Sequence, residues 1–217
     1  MGFVFDPAEH AYYLDGRRLP SVTQILQAAA LGTDYSMVPP AILEHKRQVG
    51  VAVHAACRMV DEDDLDETTI ADEIRPYVDG YRAFITDTGF RAMGTELALY
   101  DDVLGYAGTP DVWGDLNGRF ALLDRKTLWT LDVPTAALQA AGYAPLIEAL
   151  EPAWRGAERF ALHLQRTGRY RLVPAAIPAA DATFLAALYE ARGEGTDDTA
   201  AILRHWKEHY APRNCNS

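Results

Sequence analysis

The sequence predicts one α/β domain over residues 1–217, built on a central mixed β-sheet flanked by helices. Three observations carry that expectation. Segments in which apolar and polar residues alternate are interleaved along the chain with segments of helical periodicity. The dipeptides Asp15-Gly16 and Asn117-Gly118 each stand between alternating segments, where a two-residue hairpin turn needs residues that accept a positive φ. The 217 residues, 49% of them hydrophobic and 24% charged, suffice for one buried core and exclude a disordered or fibrous chain.

Residues 3–5 and 12–14 read as short strands, the second turning at Asp15-Gly16 into residues 17–19. In Ser21-Val22-Thr23-Gln24 the Ser and Gln side chains can satisfy each other's backbone N–H groups, which opens a helix running to about Leu31 and stopping at Gly32. A second helix begins after Pro39-Pro40, carries Val49, Val53, Ala56 and Val60 on its apolar face, and includes His54. The acidic run 61–67 reads as a solvated connection. Thr68 or Thr69 then caps a third helix with Ile74, Tyr77, Tyr81 and Phe84 at helical spacing, kinked by Pro76.

The period changes after Gly89, where Met93, Thr95, Leu97 and Leu99 alternate as one strand. Strands over 107–116 and 119–127 flank Asn117-Gly118. Thr135 opens a helix of small residues that reaches about Leu150, kinked at Pro145. Residues 158–165 and 170–173 form a second hairpin around Thr167-Gly168, and helices from Asp181 and from Thr196 or Asp197 finish the chain.

A net charge of −11 argues on average against a nucleic-acid partner, but the charges are unevenly spread. Residues 61–73 hold eight acids and no Lys or Arg, whereas Arg155, Arg159, Arg166, Arg169 and Arg171 share their stretch with the single acid Glu158. A local basic path is therefore available. The only lysines are Lys46, Lys126 and Lys207, so each one invites a reason. The longest uncharged runs, 19–33 and 133–147, contain Gln, Gly and Pro and do not read as membrane spans, so no membrane partner is expected. The first residues lack the basic start and apolar core of a secretory signal, and a cytoplasmic location is expected. Cys57 and Cys215 are too few for a disulfide framework, a four-Cys zinc site or a four-Cys iron–sulfur cluster.

With Asn117 and Gly118 central to a tight turn, Leu116 faces Arg119, and the same register continued along both strands sets Asp111 opposite Asp124. Side chains so opposed emerge on one face with Cβ atoms about 4.5–5.5 Å apart, where like charges destabilise the pair. Lys126 lies two residues beyond Asp124 on that face, together with Phe120 and Leu122. An ion pair of Lys126 with one Asp would leave the other carboxylate uncompensated, whereas a hard divalent cation satisfies both. Such an ion activates water and neutralises charge on a phosphoryl oxygen, while the lysine positions or deprotonates that water. The residue types point to phosphodiester hydrolysis.

Six segments then recur in a familiar order. Gly50-Val51-Ala52-Val53-His54, Thr95-Glu96-Leu97, Gly108-Thr109-Pro110-Asp111, Asp124-Arg125-Lys126-Thr127, and the helical pair Gln139 and Tyr143 follow one another along residues 50–145, with Pro20-Ser21-Val22-Thr23 upstream. In these motifs the chain resembles the PD-(D/E)XK nuclease superfamily, and within it the RecB-like exonucleases of bacteria and phages. The resemblance implies a restriction-endonuclease-like core and a magnesium-dependent DNA exonuclease of phage or bacterial DNA recombination or degradation. It would make His54, Asp111, Asp124 and the backbone carbonyl of Arg125 metal ligands, with manganese as the alternative ion. Asp111, Asp124, Lys126 and Glu96 would be catalytic, and Gln139 and Tyr143 would support substrate binding or core geometry.

DNA is the implied partner, with a homo-oligomer or a recombination partner protein beside it, and the location would be the host cytoplasm if the chain is phage-encoded. Relatives with a cysteine cluster for an iron–sulfur centre differ here, since two cysteines cannot supply it. Arg166 and Arg169 are expected along the DNA path. The rival readings are a non-catalytic DNA-binding or assembly module on the same fold, and a structure-specific endonuclease. Taken alone, His54 reads as a packed core histidine, and His205 and His209 as surface histidines. Trp113, Trp154 and Trp206 read as core, and Trp129 as a side chain for stacking on a base at an entry channel.

Overall fold

The computed structural model describes residues 2–192; the predicted final helix, His205, His209, Trp206 and Cys215 lie outside them. Strands β1 (Phe3–Asp6), β2 (Ala11–Leu14) and β3 (Arg17–Leu19) form an antiparallel meander. Asp15 and Gly16 adopt φ of 50° and 82°, as the tight turn between β2 and β3 requires. Ser21 caps α1 (Val22–Ala28) through both reciprocal bonds, Gln24 N donating to Ser21 Oγ and Ser21 N to Gln24 Oε1. The helix stops short of Leu31 because Ala30 takes a left-handed φ of 54° and Leu31 N turns back to Leu26 O.

The long helix α2 (Pro40–Asp61) starts with proline in its first turn, where a missing N–H costs nothing. Helix α3 (Arg75–Thr88) begins later than the sequence suggests. Asp66 caps a separate 3₁₀ turn over Glu67–Thr69, so both threonines belong to that turn, and Pro76 falls in the first turn of α3 instead of kinking it.

The strand expected over residues 93–99 is two, β4 (Arg91–Thr95) and β5 (Leu99–Asp101). They part at Glu96, whose φ of 46° is left-handed and whose N–H donates to Asp111 O at 3.0 Å. The strand expected over 107–116 is likewise β6 (Tyr106–Gly108) and β7 (Val112–Leu116). Pro110, with no N–H to give a ladder, stands in the gap. Strands β5 and β6 pair as a separate ribbon.

The main sheet adds β8 (Arg119–Lys126), β9 (Glu158–Leu164) and β10 (Tyr170–Pro174) in the order β10-β9-β8-β7-β4. Strands β8 and β9 are parallel and the other neighbours antiparallel, so the sheet is mixed. A parallel pair needs a crossover, and α4 (Val133–Leu150) provides it. Asp132 caps α4 by accepting from Thr135 N, which moves the helix start ahead of the expected Thr135. Helix α5 (Pro178–Arg192) ends the described chain.

Alternation along β8 sends its side chains to two cores. Ala121 and Leu123 meet Val53, Tyr81 and Phe84 of α2 and α3, whereas Leu122 meets the layer of α1, α4 and α5 through Val22, Ala140 and Phe184. The result is an α/β fold with helices on both faces of a mixed sheet. Among the described residues, no helix is long and apolar enough to cross a membrane.

Candidate active site

The β7–β8 ladder runs from Leu116↔Arg119 to Val112↔Leu123, with Asn117 and Gly118 at φ of 55° and 78° in the turn. Asp111 stands one position beyond its end, at the place opposite Asp124. The break at Thr109-Pro110 fixes that place from the other side, where Tyr12 Oη lies 2.8 Å from Thr109 Oγ1. Tyr143 packs against Gly108, where a Cβ would sit 2.9 Å from its ring.

Four other segments bring their side chains here. His54 of α2 places Nδ1 3.3 Å from Asp111 Oδ1 and 4.0 Å from Glu96 Oε1, and its Nε2 lies 3.1 Å from the Arg125 carbonyl oxygen. Arg125 N donates to Asp111 Oδ2 at 2.6 Å. Lys126 Nζ donates to Asp124 Oδ1 at 2.9 Å and to Gln139 Oε1 of α4 at 2.7 Å. Thus His54, Glu96, Asp111, Asp124, the Arg125 carbonyl, Lys126 and Gln139 meet at one end of the sheet, with Tyr143 beside the two acids.

The ion pair that the charge argument set aside is therefore formed. Lys126 balances Asp124, and Asp111 is compensated by His54 and by the Arg125 amide. Burial opposes charge at His54, Asp111, Asp124 and Lys126. Burial nevertheless loses at Lys126, whose pKa is raised by Asp124 and Asp111, and at His54, raised by Asp111. It loses also at Asp111, which His54 holds well below the carboxylate range. At Asp124 burial prevails over Lys126 and, with Asp111 adding to it, pushes the pKa up. Burial keeps the Tyr143 phenol neutral, and the neighbouring acids reinforce that.

Behind the acids lies a polar layer that the sequence did not disclose. The Arg125 side chain, fully buried, donates from Nη2 to Asp61 Oδ2 at 3.0 Å, to Thr95 Oγ1 at 2.9 Å and to Asp111 O at 3.1 Å, and its guanidinium lies 5.0 Å from the Tyr81 ring centroid. Tyr81 donates to the other Asp61 oxygen at 2.5 Å. Asp61 is accordingly the last residue of α2, with its side chain buried, and not the start of a solvated run. One signal for this was present: Arg125 shares its strand face with Ala121 and Leu123, so a buried arginine there required an acid.

Other expected residues stand apart. Arg166 and Arg169 are exposed on the turn between β9 and β10, and Arg159 is committed to an ion pair with Asp181. Cys57 is buried, and burial pushes its thiol up to about 12, so it stays protonated.

The donor set suits a hard cation. Asp111, Asp124, Glu96 and a backbone carbonyl offer oxygen and His54 offers imidazole nitrogen. Among the described residues, Glu96 Oε1 and Asp124 Oδ2 are buried without a hydrogen bond, although the latter is 2.8 Å from Lys126 Nζ. Among the described residues no three His, Cys, Asp or Glu side chains are already gathered at coordinating geometry; His54 and Lys126 balance the acids instead. The chain matches no protein-family model and no curated protein.

Proposed function

We propose that the chain is a metal-dependent DNA exonuclease, hydrolysing phosphodiester bonds on a restriction-endonuclease-like core in the cytoplasm, in phage or bacterial DNA recombination or degradation. One observation supports this above the rest: Asp111, Asp124 and Lys126 converge with His54 and Glu96, and Glu96 keeps a buried oxygen without a donor among the described residues. Asp111, Asp124, His54 and the Arg125 carbonyl would hold magnesium, which supplies charge neutralisation and an activated water when bound.

The chain's own residues do the positioning. The Arg125 amide fixes one Asp111 carboxylate oxygen, and the buried Arg125 side chain holds the Asp111 backbone carbonyl. Gln139 and Asp124 hold Lys126 Nζ, so a compact ammonium is oriented before any substrate arrives. That ammonium stabilises charge developing on a phosphoryl oxygen. Tyr143, a neutral phenol beside the acids, would donate a hydrogen bond to the substrate without adding charge.

End-labelled linear DNA and closed circular DNA, each with and without magnesium, test the reading. The expected result is release of label from linear DNA with magnesium only, intact circles, and loss of both metal binding and hydrolysis in Asp111→Ala. Cut circles would make the chain an endonuclease, and DNA binding without hydrolysis would make it a non-catalytic module.

A further inference from the structure

One concavity away from the acids gathers cationic and aromatic groups. It has a volume of about 220 Å³ and opens at the C-terminal ends of β8 and β9, lined among others by Lys46 of α2, Tyr77 of α3, Thr127, Trp129, His163 and Arg166. No described carboxylate lines it, although the chain carries a net charge of −11. Among the described residues neither Lys46 nor Arg166 has an acid within salt-bridge distance. Trp129 is 85% exposed, while Trp113 and Trp154 are buried at 4% and 3%. His163 Nε2 lies 2.6 Å from Leu128 O, and its buried Nδ1 has no partner among the described residues.

The position of the pocket matters as much as its lining. Lys126 and His163 are direct partners across β8 and β9, and the next residue, Thr127, is already in the pocket wall. A ligand here lies past the end of β8, the strand that carries the lysine the proposed reaction uses. Two unpaired cations recognise a phosphate, an uncovered indole recognises a flat aromatic ring, and a cavity of this size admits a single base but not a base pair.

We propose that this pocket takes one unpaired nucleotide of the substrate strand, with its base against Trp129 and its phosphate between Lys46 and Arg166. The enzyme then holds a DNA end as a single strand next to the bond it cuts. This inference rests on the nuclease reading for its meaning, but the binding it describes can be measured separately.

Fluorescence anisotropy in EDTA, which prevents digestion, compares a labelled dT octamer with a labelled blunt duplex, and unlabelled dTMP serves as competitor. Trp129→Ala should weaken octamer binding about tenfold or more, as loss of one base-stacking contact does. Trp129→Phe should retain most of the affinity, and Lys46→Gln with Arg166→Gln should weaken it further. Duplex affinity should not follow Trp129. The proposal is overturned if Trp129→Ala binds the octamer like the wild type, or if octamer and duplex weaken equally. It is also overturned if dTMP competes as tightly as the octamer, which would mark a site for free nucleotides. Hydrolysis of bis(4-nitrophenyl) phosphate by the wild type, which needs no strand, reports the nuclease reading independently of the pocket.

Discussion

Lys126 is bonded to both Asp124 and Gln139, so two substitutions at this one position ask different questions. Lys126→Met leaves a buried Asp124 without its cation, a change that costs about 3–5 kcal/mol, and lost activity there says little about catalysis. Lys126→Arg keeps the charge but replaces a compact ammonium by a broad planar group. We expect hydrolysis of linear DNA to fall about 10²–10³-fold in the arginine variant, as for loss of one preorganised donor, with thermal midpoint and DNA affinity retained. Wild-type rates from a folded Lys126→Arg protein would end the catalytic assignment. Glu148 of α4 raises a separate question of charge. Its Oε1 accepts from Gly156 N at 3.2 Å, Oε2 is buried without a hydrogen bond among the described residues, and burial pushes its pKa up from 4.5 to about 7 against the pull of that amide, Arg159 and Arg155. The folded state therefore binds the proton more tightly than the unfolded one. The contribution of the neutral acid to stability is complete below pH 4.5 and is lost as pH rises to about 7. The loss is at most ~3 kcal/mol. Glu148→Gln should raise unfolding stability by about 1–2 kcal/mol at pH 8, within that bound, and give no gain at pH 4 in urea titrations. An equal effect at both values would mean the carboxyl is not held neutral.

Among the elements, two glycines that carry sequence motifs play different parts. A Cβ at Gly108 of β6 would come within 2.9 Å of the Tyr143 ring and 3.2 Å of Leu146, both on α4, so the ribbon and that helix touch through the glycine. A Cβ at Gly50 of α2 would meet only Thr127 Oγ1, at 3.6 Å, an ordinary contact. Gly108→Ala should destabilise by about 1–3 kcal/mol through overpacking. Gly50→Ala should stabilise by about 0.5–1 kcal/mol by removing a mid-helix glycine. Denaturant midpoints of the two variants check both signs. The same elements show what was legible in the sequence. Asn117-Gly118 fixed every pair of the β7–β8 ladder, because a two-residue turn leaves no freedom of register. The carboxylates at its open end followed from that. What broke the adjoining strands was less visible: a left-handed Glu96 that answers to the Asp111 carbonyl, and a proline between β6 and β7. Alternation of apolar residues continues across such breaks and conceals them. The Arg125–Asp61 pair joins residues far apart in the chain, and nothing local marks an aspartate at a helix end as buried. The balance of Asp111 by His54 escaped for the same reason, since it depends on where α2 docks.

At the scale of the molecule, charge is divided by place. A chain of net charge −11 repels a polyanion on average, so the proposed DNA binding would be carried by a few exposed cations. Arg166 and Arg169, both exposed, are two of them. Replacing both by Gln should lower DNA affinity and reduce the slope of log affinity against log salt by about 1.4–1.8, as for two lost phosphate contacts. Titrations between 50 and ~200 mM salt would show it, and an unchanged slope would remove both residues from the DNA path. The fold also sets an order of assembly. The turn at Asn117-Gly118 closes β7 on β8 locally, yet the end of that hairpin holds opposed acids whose partners come from distant parts of the chain. His54 arrives only with α2, and Gln139 and the parallel strand β9 only after the α4 crossover has formed. Until then, repulsion between the two acids keeps the hairpin frayed at that end while its turn is already set. Completion of the centre thus waits on long-range contacts, and a hairpin formed without them presents the two acids lacking the Gln139 contact that orients Lys126.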